Sequence, residues 1–147
     1  MMRLISVTFF LLLTFGVQAQ TGFFFVLTSK KNCPQIVNSI SGRTQYCTAA
    51  EPIIRATEFQ SVSELKSDNR NHLYLELMLT EEGVVNLRTL SAKLPDSKLV
   101  LIVDGKAVGE FESLGRIVNR TIPISDKNNS GKMAWVRERL QQAIDRQ

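Results

Sequence analysis

At Thr80 the apolar repeat of this chain changes period, and that change limits the folds open to it. Leu73, Leu75, Leu77 and Leu79 alternate with Tyr74, Glu76 and Met78, the period of two of a strand with one buried face. Beyond Thr80, Val84, Leu87, Leu90 and Leu94 recur at three- and four-residue spacing, the stripe of an amphipathic helix. Thr80 is suited to cap that helix, and Glu81 and Glu82 stand where the positive end of its dipole favours acids. Pro95-Asp96 ends it.

Further on, Leu99 to Val103 (LVLIV) is a continuous apolar run, suited to a central strand covered on both faces or on one deeply. Asp104-Gly105 predicts a type I′ turn, with Lys106 to Phe111 returning antiparallel. Arg116 to Ile124 is a further strand candidate, expected to end at Pro123. Asp126 to Gly131 is a polar loop, and Met133, Val136, Leu140, Ala143 and Ile144 mark a second amphipathic helix. Before Leu73 the signals are weaker. Phe23 to Thr28 (FFFVLT) has strand composition, Thr44 to Thr48 is a second short candidate, and Lys30 to Gly42 reads as a polar loop. Glu51 to Phe59 is irregular or a short helical turn. Two helices with one apolar stripe each need a sheet to bury it against. The expected fold is α+β, a ferredoxin-like sandwich with an antiparallel or mixed sheet and both helices on one face.

The N-terminus sets the expected compartment. Met1, Met2 and Arg3 precede an apolar run of about fourteen residues, Leu4 to Val17, and Val17-Gln18-Ala19 supplies small residues where a signal peptidase reads. The run is short beside the roughly 20 residues of a membrane span. Residues 1–19 are expected to be a cleaved signal peptide, and 20–147 a single domain in the periplasm or secreted. Removing residues 1–19 takes away one basic residue, leaving 17 basic against 14 acidic, a mild +3. That balance is far from a nucleic-acid binder's footprint and fits weak attraction to a membrane surface or to acidic proteins. Charged runs such as Arg137-Glu138-Arg139 fit a solvated face. The two cysteines, Cys33 and Cys47, are expected to pair in an oxidising compartment, closing a fifteen-residue loop worth about 3 kcal/mol in the chain-entropy model.

The stretch LYLELMLTEEGVVNLRTLSAKLPDSKLVLIVDGKAVGEFES, from Leu73 onward, resembles the first periplasmic head domain of the SecD protein-export subunit. Leu73, Leu75, Leu77, Thr80, Glu82, Gly83, Leu87, Val103, Asp104, Gly105 and Lys106 carry the match, and Glu51 to Phe59 is similar to the segment that precedes that strand in the family. The similarity spans roughly Tyr46 to Ile144. After Asp104-Gly105-Lys106 the family continues Val-Ile-Ser-Ala-Pro, where this chain has Ala107-Val108-Gly109-Glu110-Phe111. The family's Gly-rich segment before the last helix is replaced by Arg120 to Ile124. The resemblance implies the fold, a bacterial envelope location and contact with unfolded or translocating chains. It does not imply the proton-driven motor, since no membrane-spanning bundle is expected here.

A search for catalytic groups gives little. His72 is the sole histidine and shares the polar side of its strand with Glu76, so a base–orienter pair is conceivable but a surface histidine is the simpler expectation. One His and two bonded Cys leave an ordinary zinc site without ligands. Gly131-Lys132 would close a phosphate loop, but Asp126 and Met133 stand where Gly and Ser or Thr are required. Glu81-Glu82 is better explained by the helix dipole. Asn119-Arg120-Thr121 and Asn128-Asn129-Ser130 are glycosylation acceptors that would be incidental in a bacterium. No catalytic, cofactor or metal residue is therefore assigned. The expectation is a non-catalytic exported binding module that contacts polypeptide or envelope proteins by strand addition, using whichever of Phe23 to Thr28, Lys106 to Phe111 and Arg116 to Ile122 lies at a sheet edge. The alternative is a structural, membrane-surface-associated envelope protein.

Overall fold

The computed structural model describes residues 20–29, 31–111, 119–126, 128 and 130–147. The signal-peptide expectation falls outside them, as does the start of the Arg116 strand candidate. The described chain is α+β. Its strands are β1 (Gly22–Phe25), β2 (Gln35–Asn38), β3 (Gln45–Thr48), β4 (Ile54–Arg55), β5 (Phe59–Val62), β6 (Lys66–Ser67), β7 (Leu73–Leu79), β8 (Leu99–Val103), β9 (Lys106–Phe111) and β10 (Thr121–Ser125). Two helices, α1 (Glu81–Lys93) and α2 (Met133–Asp145), and a 3-10 turn over Ala56–Glu58 complete it.

The strands do not form the single sheet expected. They divide by hydrogen bonding into β4-β1-β8-β9 and β10-β7-β5, with β6 beside β7, and a separate β2-β3 pair. Every pairing between these strands is antiparallel. The first two sheets share one apolar cluster. Leu75, Leu77 and Leu79 meet Leu99, Leu101 and Val103 there, and Leu87 of α1 and Met133, Val136 and Leu140 of α2 close it. Phe23 joins the same cluster and touches Phe59 edge-on, with ring centroids 5.8 Å apart.

The run LVLIV is buried at all five positions because β8 is covered twice. Leu99, Leu101 and Val103 face the main cluster, while Val100 and Ile102 face a second one with Phe24, Val37 and Ala107. The β2-β3 pair forms that second cover. Cys33 and Cys47 are disulfide-bonded across it, Cα atoms 5.7 Å apart. Part of Lys30 to Gly42 is thus a strand, β2, rather than a loop. Only Val37 of β2 is buried, too little apolar alternation to reveal a strand in sequence.

Local signals placed the rest. The Thr80 hydroxyl accepts the Gly83 N–H at 3.2 Å and caps α1. Asp104 and Gly105 take φ of 48° and 79°, as the tight turn between β8 and β9 requires. Gly109 is the extra residue where the β8–β9 register shifts, with φ 69°. Three expectations need correcting. Leu73 is 40% exposed and Leu94 45%, so both apolar patterns were extended one residue past the buried part of their elements. The last strand does not end at Pro123, which pairs with Glu76 inside β10. Proline is tolerated there because β10 is an outer strand of its hydrogen-bonded sheet.

Candidate functional site

A cleft of 570 Å³ is lined by the turn Asn38 to Gly42, by Lys106 at the start of β9, and by Lys132 and Trp135 at the start of α2. Three separate segments build it, and hydrogen bonds hold them in place. The Ile40 N–H donates to Ala107 O at 3.0 Å, and Gly42 N–H to Ser39 O at 2.9 Å. The Ser39 hydroxyl accepts the Thr44 N–H and lies 2.9 Å from the Ser41 hydroxyl. The Lys132 ammonium donates to Ile40 O at 2.8 Å, tying the entry of α2 to the turn. Asn128 Nδ2 reaches Ser41 Oγ at 3.1 Å from the loop before α2.

Electrostatically the cleft is positive. Among the described residues that line it, two are lysines and none is an acid. The nearest compensating carboxylate is Asp126 in the preceding loop. Burial pushes its pKa up, but hydrogen bonds from the Ser130 hydroxyl and the backbone N–H groups of Ser130 and Asn128, with the Lys132 charge, hold it below the usual aspartate value. On the neighbouring side, Tyr46 donates to Glu110 Oε2 at 3.3 Å, and burial followed by the Glu110 charge raises the phenol's pKa.

Of the residues singled out in sequence, Lys106 and Lys132 line this cleft, and the candidate catalytic groups scatter away from it. His72 is on the surface, its Nδ1 3.4 Å from Asp68 Oδ2, while Glu76 pairs with Lys66 at 2.9 Å. The His72–Glu76 pair is therefore not formed. Glu81 and Glu82 are exposed in the first turn of α1. Asn119 is exposed, Asn128 is engaged with Ser41, and Asn129 lies outside the described residues. Among the described residues no group of three or more His, Cys, Asp or Glu could hold a metal ion, and no helix is long and apolar enough to cross a membrane.

Of the three strands offered as edges, β1 is interior, whereas β9 and β10 each end a hydrogen-bonded sheet. β1 lies between β4 and β8, and Val26 beyond it bridges Thr48. The outer side of β9 receives Ile40, and a Cβ on Gly109 would stand 3.6 Å from Ser125 O of β10. β10 thus comes close to β9 at that point but pairs as a strand only with β7. The carbonyls of Phe59 and Ser63, along β5, accept Gln147 Nε2 and Arg137 Nε. β2 is different. Among the named strands it pairs only with β3, Ser39 just past it bridges Ala107 of β9, and it carries Ile36 at 66% exposure before running through Asn38 into the cleft. Sequence reasoning missed it.

A comparison with protein-family models gives no match, and neither does one with curated proteins. Two solved structures are similar in fold. One is of a membrane component SecDF that enhances protein export, with a TM-score of 0.62 at 12% identity over 84% of this chain and 62% of that one. The other is SecDF in a super-membrane-facing form, with a TM-score of 0.61 at 12% identity, covering 84% of this chain and 19% of that one. This chain thus spans less than two thirds of either protein's length. The described chain has a SecD-like fold.

Proposed function

We propose that this protein is an exported, non-catalytic binding module of the bacterial envelope that holds an extended segment of another polypeptide. The observation that carries the proposal is the outer edge of β2 leading into the cleft beside Lys106, Lys132 and Trp135, on a fold similar to a protein-export component. Backbone groups of an outer strand bind an added strand with little regard for its side chains, which suits varied clients and modest affinity. Ile36 gives such a strand an apolar contact, and the cleft gives its end a polar one. The Cys33–Cys47 bond fits an oxidising compartment and fixes the far end of the same edge. The resemblance to SecDF favours envelope proteins or translocating chains as clients.

NMR titration of residues 20–147 with an unfolded secretory polypeptide tests the proposal. Shifts should cluster along Gln35 to Gly42. Their absence at millimolar ligand, or turnover of a substrate at a pocket elsewhere, would remove it.

A further inference from the structure

The cleft is one end of a longer positive surface. Lys132, Trp135, Arg139, Gln142 and Arg146 recur at three- and four-residue spacing, so they share one flank of α2. Arg139, Gln142 and Arg146 line a second cleft, of 270 Å³, together with Asp104. The β8–β9 hairpin contributes to both clefts, Asp104 to one and Lys106 to the other. Arg139 joins them: its guanidinium lies 5.7 Å from the Trp135 ring and 3.5 Å from Asp104 Oδ2. Its Nε–H is shielded from solvent and has no acceptor among the described residues. The two linings together hold four basic side chains and a single acid.

We infer that the α2 flank Lys132–Trp135–Arg139–Arg146 selects acidic segments of the bound polypeptide. The inference rests on the proposed polypeptide-binding role and names the class of sequence bound. From Lys132 to Arg146 the flank is about 21 Å long, the span of about six residues of extended chain. Carboxylates on such a segment would be drawn to Lys106 and Lys132 at one end and to Arg146 and Arg139 at the other, with an apolar side chain against Trp135 between them. Arginine suits this task because its fork of donors matches a carboxylate's two oxygens.

Trp135 is the chain's sole tryptophan, so its fluorescence reports directly on the flank. Three Trp-free peptides of eight residues should be titrated: one alternating Glu and Leu, one with Gln for Glu, and one with Lys for Glu. The acidic peptide should give a saturable change, with Kd about tenfold tighter than for the Gln peptide and weakening steeply between about 0.05 and 0.5 M salt. Lys106→Glu and Arg146→Glu should each weaken it by about tenfold while circular dichroism and melting stay unchanged. Equal responses to the Glu and Gln peptides would overturn the inference and leave polypeptide binding standing. Silence from all three peptides, with no NMR shifts from the unfolded polypeptide, would remove both. A response to phosphatidylglycerol vesicles that exceeds the one to the acidic peptide would overturn it in favour of a lipid surface.

Discussion

The two helices have the same length and opposite origins. α1 is specified from within: Thr80 caps it, Glu81 and Glu82 suit its dipole, and Lys93 suits its end. It buries only Gly83 and Leu87 fully. α2 has no side-chain cap, no acid in its first turn and no base in its last, yet it buries Met133, Val136 and Leu140 and sends Lys132, Arg137 and Gln147 to backbone carbonyls of distant segments. One helix is written into local sequence, and the other is held by the fold around it. The helix with the poorer local signal is also the one that carries the candidate site.

Core truncation should show this contrast at its largest. Leu140→Ala and Leu87→Ala each remove a buried side chain and should cost about 2–5 kcal/mol in urea unfolding. Leu140 should be the worse of the two, because α2 has no cap to hold it once its packing is loosened. A loss below about 0.5 kcal/mol at Leu87 would place it on the surface and contradict the packing described. By the same logic Val85→Ala, at a 59% exposed position on α1, should be nearly neutral.

Next in size is Gly83→Ala, which opposes local propensity to tertiary packing. Alanine is favoured over glycine inside a helix by about 1 kcal/mol. Here, however, a Cβ would lie 3.0 Å from Glu58 O, 3.2 Å from Glu58 Cβ and 3.3 Å from Leu79 Cβ. Glu58 cannot easily give way. Its carbonyl accepts the Thr80 N–H at 2.8 Å, and its buried carboxylate accepts the Arg55 N–H and the Asn86 amide. A net loss of about 1–2 kcal/mol is expected, seen as a lower Tm. A gain in stability would mean that Glu58 yields, and that α1 answers to propensity alone.

What the sequence displayed and what it hid follow the same division. The period change at Thr80, the Asp104-Gly105 turn and the doubly covered β8 were legible because each signal is local or continuous. β2 and β5 were not. Gln35–Asn38 buries one side chain, and Phe59–Val62 is interrupted by Gln60 and Ser61, so only partner strands define them. The division into two sheets was hidden as well, because identical alternation serves a strand in either. The cleft was hidden more deeply. Ser39, Lys106 and the Lys132–Trp135 turn of α2 come from three distant segments, and no motif spacing joins those segments. Trp135 alone gave a hint, as a large aromatic outside the Met133, Val136 and Leu140 stripe.

The caps give the smaller effects and separate the helices by pH. Thr80→Ala should cost about 1 kcal/mol at any pH, since a hydroxyl does not titrate in the accessible range. Its counterpart before α2 is Asp126, which holds the loop through Ser130 and Asn128 instead of capping the helix directly. Because its folded pKa lies below the unfolded value, Asp126 contributes stability above about pH 4 and loses that contribution as pH falls through the folded pKa. Asp126→Asn should therefore cost less than about 1 kcal/mol near pH 7, where solvent screens the partly exposed carboxylate, and less at about pH 3 than at pH 7, because the wild-type contribution falls as the carboxyl is protonated. Urea denaturation of both variants at the two pH values distinguishes the mechanisms. A pH-independent loss at Asp126 would show that the loop needs the shape of the side chain and not its charge, and a pH-dependent loss at Thr80 would mean that α1 depends on titrating neighbours beyond its cap.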